Sequence, residues 1–145
     1  MSPKGTYTFH KNERLCNKRQ IGELYASKNR MFVYPLSIHW TVADGPAETF
    51  AGRGKAARLQ VLIVAPKKKL HHAVDRNCMK RRMRECYRMR KQPLLQLLDD
   101  NNRHMTLSIN YMHTELTESK QLGNRFDKMF EQLCKQLVQE DSEQL

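Results

Sequence analysis

The chain is poor in the residues that staple small folds from outside. Its four cysteines, Cys16, Cys78, Cys86 and Cys134, are spread over 145 residues with no C-x-x-C pair. That spacing speaks against a disulfide framework or a zinc ribbon and for four free thiols in a reducing compartment. Six histidines supply one adjacent pair, His71 and His72, and no H-x-x-x-H, so neither a metal ligand set nor Cys/His catalysis is indicated. No stretch approaches the 18 consecutive apolar residues that a spanning helix requires. The opening Met1-Ser2-Pro3-Lys4-Gly5 has no apolar run of the secretory kind, so a cytoplasmic protein without a membrane partner is expected. No internal repeat or linker breaks the chain, and one domain over 1–145, with an ordered core at about 9–140, suits the length.

Acidic residues are also scarce: 26 Lys and Arg face 15 Asp and Glu, for a net charge of +11 and a pI near 9.8. The imbalance is local. Between Pro66 and Lys91 there are eleven Lys or Arg and only two acids, Asp75 and Glu85, while the remainder of the chain is nearly balanced. A polyanionic partner is therefore addressed to one element. Hydrophobic residues make up 39 %, enough for a folded domain and too many for a disordered basic tail.

Periodicity gives the coarse order. Asn17 to Ser27 reads as a short helix with Ile21, Leu24 and Tyr25 on one face. Phe32, Tyr34, Leu36, Ile38, Trp40 and Val42 alternate with smaller or polar residues, the pattern of one half-buried strand in which Pro35 favours an edge or a bulge. Asp44-Gly45-Pro46 marks a turn, and Glu48 to Ala51 suggests a short strand before the Gly52-Arg53-Gly54 loop. Leu59 to Ala65, apolar apart from Gln60, is expected as an interior strand. A helix over Ala73 to Lys91 is stopped by Pro93. Met105, Leu107, Ile109 and Tyr111 form a second alternation. Leu122, Phe126, Met129, Phe130, Leu133, Leu137 and Val138 trace the stripe of a C-terminal amphipathic helix. The sum is an α/β (α+β) sandwich in the order α-β-β-β-α-β-α, with three helices on a mixed sheet of about four strands.

At 100° per residue, Asn77, Lys80, Arg81, Arg84 and Arg88 fall within roughly 100° of one helix face, apart from an arc of Met79, Met83, Cys86 and Tyr87. Like charges at i, i+3 and i+4 repel by a few tenths of a kcal/mol per pair. A merely solvated face would interleave acids among them, and this arc has none. Phosphates binding there would offset the repulsion through counterion release, and arginine adds two-pronged phosphate geometry. Asn77 suits a sugar or base edge, or serves as a spacer.

The run Arg76-Asn77-Cys78-Met79-Lys80-Arg81-Arg82-Met83-Arg84-Glu85 resembles the Arg-Asn-x-x-Lys-Arg-x-x-Arg-Glu signature of the bacterial ribonuclease P protein family. Phe9-His10-Lys11-Asn12-Glu13-Arg14-Leu15 resembles that family's N-terminal aromatic-basic-Arg-Leu segment, and Val64-Ala65-Pro66-Lys67-Lys68 its strand-end Lys-Lys turn. Cys78 stands where the family carries an arginine, and Ile21 where an aromatic is more usual. The resemblance implies a four-stranded sheet with three helices and a left-handed βαβ crossover, although the general rule for such crossovers is right-handed. It implies that Arg76, Asn77, Lys80, Arg81, Arg84 and Arg88, with Lys67, Lys68 and Arg14, meet a catalytic RNA. A cleft between the first helix and the sheet, with Ile21, Tyr25, Tyr34, Lys18 and Arg19, would hold the single-stranded 5′ leader of precursor tRNA. Bases could stack there on aromatics, while core packing is the competing role for Tyr25 and Tyr34.

No carboxylate pair or Ser/His/Asp group is placed by sequence to hydrolyse a phosphodiester; the adjacent Asp99 and Asp100 read as exposed. The resemblance implies that the RNA performs the cleavage with Mg2+ held mainly by the RNA. A ribosomal or DNA-binding protein is the rival class. A helix-turn-helix would need a short helix just before the basic one, where this chain has an apolar strand and a Pro-Lys turn.

Overall fold

A computed structural model describes residues 18–44 and 58–143. The order is α1 (Lys18–Ala26), β1 (Arg30–Val33), β2 (Leu36–Asp44), β3 (Leu59–Val64), α2 (Ala73–Arg90), α3 (Gln92–Asp100), β4 (Arg103–Tyr111) and α4 (Ser119–Glu143). The strands form one mixed sheet in the order β1-β2-β4-β3. β1 with β2 and β2 with β4 are antiparallel, while β3 and β4 run parallel and are joined by the α2–α3 crossover. The α+β architecture expected from the sequence is present, with a fourth helix. Glu48 to Ala51 and the Gly52-Arg53-Gly54 loop lie outside the described residues. No helix among those described is long and apolar enough to cross a membrane.

Three local expectations are corrected. The alternation from Phe32 to Val42 is two strands, since Tyr34 and Pro35 form the turn of a hairpin whose register pairs Val33 with Leu36. Proline has no N–H to continue a ladder, and a two-residue turn shifts the face-parity by one. Val33 therefore joins Leu36 and Ile38 in the core, whereas Phe32 lands on the opposite face, 61 % exposed. The apolar run of β3 lies at the sheet edge, not its interior: Leu59, Gln60 and Val61 are all buried, so the run records cover on both faces. Pro93, placed as a helix stop, sits in the first turn of α3, where its missing N–H costs nothing. Lys91 ends α2 and begins α3 with backbone angles that stay helical.

The core lies between one sheet face and α2, α3 and α4. Met105, Leu107, Ile109 and Tyr111 on β4 meet Met79, Met83, Cys86 and Tyr87 of α2 and Leu122, Phe126, Met129, Leu133 and Leu137 of α4. Val138, counted in the α4 stripe, is half exposed. Where α2 and α4 approach, the Arg90 guanidinium passes over Gly123, so close that an added Cβ would stand 2.5 Å from it. Its Nε donates to Asp127 at 2.7 Å. Arg58 fastens the start of β3 to the α3–β4 turn, donating to the Arg103 carbonyl and to Asn102 Oδ1, each at 3.1 Å, beside Asp99. Asn102 takes the left-handed conformation (φ 50°) that asparagine tolerates better than most residues. Cys78, Cys86 and Cys134 are free thiols, and burial pushes the last two up in pKa. Cys16 lies outside the described residues.

Candidate nucleic-acid interface

α2 presents its signature residues in two groups. Met79, Met83, Cys86 and Tyr87 anchor one side in the core. Asn77, Arg81 and Arg84 are exposed and Lys80 is partly so. None of these four makes a hydrogen bond or ion pair with a described residue.

The other signature cations are engaged. Arg76 reaches back over the N-terminus of α2 and donates to the carbonyls of Leu70 and His71, both at 2.9 Å. It thereby ties the helix to the basic turn, where Lys69 and Leu70 donate their amides to the Pro66 carbonyl at 3.1 Å. Buried Leu70 pins that turn, leaving Lys67 and Lys68 exposed. Arg88 pairs with Glu85 one turn earlier; the hydrogen bond from Arg88 holds the Glu85 carboxyl below its usual range and raises the arginine. The cationic arc therefore has an acid folded onto one end, contrary to the expectation of none. Arg82, which lies outside that arc, donates to the Thr117 carbonyl at 2.7 Å.

The second region is the sheet face under α1. Ser37, His39 and Thr41 on β2 lie beside Asn110, Ser108 and Thr106 on β4, giving a polar surface behind the apolar core. α1 crosses it, sealing Leu24 completely and leaving Ile21 half buried and Tyr25 42 % exposed. The Tyr25 ring lies 5.1 Å from that of His39. Its hydroxyl donates to Asn110 Oδ1 and shares a hydrogen bond with Ser108 Oγ, both at 2.9 Å. Asn110 Nδ2 donates in turn to Ser108 Oγ and to the Ser37 carbonyl. Tyr25 is thus neither a core residue nor a free one: its tip is fixed and its ring remains accessible.

The His39 pKa is lowered by burial and then by the Arg30 charge. Arg30 is its cross-strand partner on β1. The buried Nδ1 of His39 has no hydrogen-bond partner. Phe32 is exposed beside Ser37 in the same row.

Tyr34 sits in the hairpin turn, 53 % exposed, with its hydroxyl hydrogen-bonded to His113 Nδ1 at 2.8 Å. It stands at the sheet end where β3 and β4 finish, because Leu36 pairs with Tyr111 and Val64 with Asn110. The Lys67–Lys68 turn leaves the sheet at that same end. Arg19 is exposed on α1 near Glu23, with 3.9 Å between charged atoms. Of Lys18 only its place at the start of α1 is described, and Arg14 lies outside the described residues.

Sequence reasoning missed Phe32, His39, Ser108, Asn110 and His113 as members of this surface. Ser108 and Asn110 were legible as the polar half of the β4 alternation. Phe32 required the hairpin register, and His113 carried no local signal. Among the described residues no group of three or more His, Cys, Asp or Glu side chains could hold a metal ion.

A family model described as Ribonuclease P matches residues 9–136. A ribonuclease P protein component from Porphyromonas gingivalis is 26 % identical over 128 residues, which cover 88 % of this chain and 88 % of the relative. One from Chlorobium phaeobacteroides is 43 % identical over 108 residues, covering 73 % and 69 %. A match through nearly the whole chain, including the helix whose unengaged cations face solvent, places this protein in the ribonuclease P protein family.

Proposed function

We propose that the chain is the protein subunit of ribonuclease P, acting in the cytoplasm on the 5′ ends of tRNA precursors. α2 docks on the catalytic RNA, and the single-stranded 5′ leader of precursor tRNA lies in the cleft between α1 and the polar sheet face. The observation that carries the reading is the set of unengaged ends on α2, Asn77, Lys80, Arg81 and Arg84. They are held on a helix whose other side is locked into the core. Such charges give up no internal partner when phosphate arrives, and each phosphate neutralised releases counterions. Arg76 acts by shaping the turn that carries Lys67 and Lys68. Arg88 must exchange Glu85 for phosphate and so contributes less than its position suggests.

In this reading phosphodiester cleavage belongs to the RNA, and Mg2+ is held mainly by the RNA. What the protein adds is charge neutralisation and a grip on the leader. Purified protein with Mg2+ should leave precursor tRNA intact, and adding the cognate RNA should give cleavage at the 5′ end.

The sharper test replaces Lys80, Arg81 and Arg84 together by glutamine. The slope of log affinity for the catalytic RNA against log salt should fall by roughly 0.7 to 0.9 for each phosphate that is no longer neutralised. The same change at exposed Lys28, Lys120 and Lys128 should do much less. Equal effects from the two triples would replace a docking helix by diffuse charge.

A further inference from the structure

Past the Tyr34–Pro35 turn, on the side of α4, lies a cavity of about 480 Å3 lined by Tyr34, Pro35, His113, Thr117, Gln121, Asn124 and Arg125. Its volume is within the range of about 300–1,000 Å3 typical of small-molecule sites. We infer that this cavity is a terminal subsite for one nucleotide of single-stranded RNA, in which Arg125 holds a phosphate and Gln121 and Asn124 meet a base edge beside the Tyr34 ring. The inference rests on the leader-binding reading above and extends it around the end of the sheet onto α4.

Its parts are suited to that ligand and free to take it. Gln121, Asn124 and Arg125 are exposed and make no hydrogen bond or ion pair with a described residue. A guanidinium grips phosphate with two parallel N–H groups. Side-chain amides present both donor and acceptor, which the edge of an unpaired base requires.

The aromatic wall is fixed in place. Tyr34 is anchored through its hydroxyl on His113, and its ring is flanked by His113 at 5.7 Å and Phe32 at 6.0 Å. Phe32 stands in the cleft row with Ser37 and Asn110, and Asn110 carries the Tyr25 hydroxyl. Phe32 and the Asn110 that carries Tyr25 thus share one cross-strand row, which connects cleft to cavity through the Phe32–Tyr34 ring pair. The cavity wall is braced from the basic helix. Arg82 of α2 donates to the Thr117 carbonyl, and the Thr117 hydroxyl meets the Tyr111 hydroxyl at 2.6 Å. An arginine on the signature helix thus shapes the far wall of this subsite and leaves phosphate binding to its neighbours.

The test uses enzyme reconstituted with its catalytic RNA and precursor tRNAs whose leaders are lengthened one nucleotide at a time. Wild-type affinity should rise in steps, the last when the leader reaches the cavity. Arg125→Ala should abolish that last step, about a tenfold loss in affinity. Earlier steps, mature tRNA affinity and the melting temperature should be unchanged, and Arg125→Lys should keep part of the step. A 4-thiouridine at the last-step position should crosslink to the segment from His113 to Arg125. An Arg125→Ala enzyme that keeps every step, or a crosslink confined to α1 and β1, would overturn the subsite and leave the cleft standing. A wild-type enzyme with no leader-dependent step would instead overturn the leader reading itself.

Discussion

The two faces of β4 carry opposite chemistry although both are buried. Met105, Leu107, Ile109 and Tyr111 face three helices and touch mainly carbon. Thr106, Ser108 and Asn110 face the other way, where α1 is the described helix that crosses the sheet. The first face owes its stability to area removed from water and to close packing. The second buries polar atoms that must be hydrogen-bonded to be tolerated, and it meets that requirement with a network: Tyr25, Ser108, Asn110 and the Ser37 carbonyl bond one another. Thr41 and Thr106 join hydroxyls farther along. A surface built only for stability would have repeated the apolar set. The polar set keeps a hydrogen-bonding floor under an aromatic ring, which suits the cleft proposed above for single-stranded RNA. One sheet thus separates the part that folds the protein from the part proposed to meet the leader.

The strongest way to probe this contrast is to damage the apolar face. Phe126 on α4 is fully buried and packs in the helix-covered core. Phe126→Ala should cost about 3–5 kcal/mol of stability, the sum of forfeited transfer energy and the cavity left behind. Urea titration should show the loss as a lower midpoint. A cost below that of one ordinary hydrogen bond would mean that the core is loosely packed and the contrast between faces is false.

Tyr25 tests the polar face at smaller amplitude and separates its two components. Tyr25→Phe removes the hydroxyl from Ser108 and Asn110 and keeps the ring. It should cost about 0.5–1.5 kcal/mol of stability with precursor affinity nearly unchanged. Tyr25→Ala also removes the ring, and should weaken precursor tRNA binding by roughly 1–3 kcal/mol if one base stacks there. Mature tRNA and catalytic RNA affinities should hold. Uniform damage to every RNA interaction, in step with lowered melting temperature, would assign Tyr25 to packing alone.

How much of this was legible in the sequence depends on the range of the interaction. α2 and α4 were readable because a helix face repeats within one turn, and the buried sets Met79, Met83, Cys86, Tyr87 and Leu122, Phe126, Met129, Phe130 followed from it. The β1–β2 hairpin was hidden because Phe32 to Val42 alternates without a break in sequence, while the two-residue turn reverses which half of the alternation is buried. β3 at the edge looked central, since an apolar run reports cover on its faces and says nothing of its neighbours. The split of the basic helix into free and engaged cations was out of reach. Arg82 bonds Thr117, 35 residues away, and no local pattern announces an interaction of that span. Arg88 and Glu85 were within reach as an i, i+3 pair.

The mildest probe uses His39, a titrating group within the polar face. His39 on β2 lies against the Tyr25 ring of α1 and opposite Arg30 of β1, with Ser108 of β4 as its ladder partner. Its buried Nδ1 finds no acceptor or donor. Protonation would place an unpaired N–H there and a second cation beside Arg30. Burial first and that charge second therefore hold its pKa below the usual 6.5. In the unfolded chain the imidazole takes its proton near the ordinary value, so between the two values the unfolded state binds more protons. Stability from this site is complete above about pH 6.5 and declines as pH falls through that value toward the lower folded one. His39→Gln cannot titrate. The wild-type minus variant difference in unfolding free energy, measured by urea titration from neutral to mildly acidic pH, should therefore drop on acidification. The other histidines cancel in that difference. A difference that stays flat, or rises toward acid, would show that His39 accepts its proton as readily in the fold as outside it, and that the polar face is wetter than its hydrogen-bond network implies.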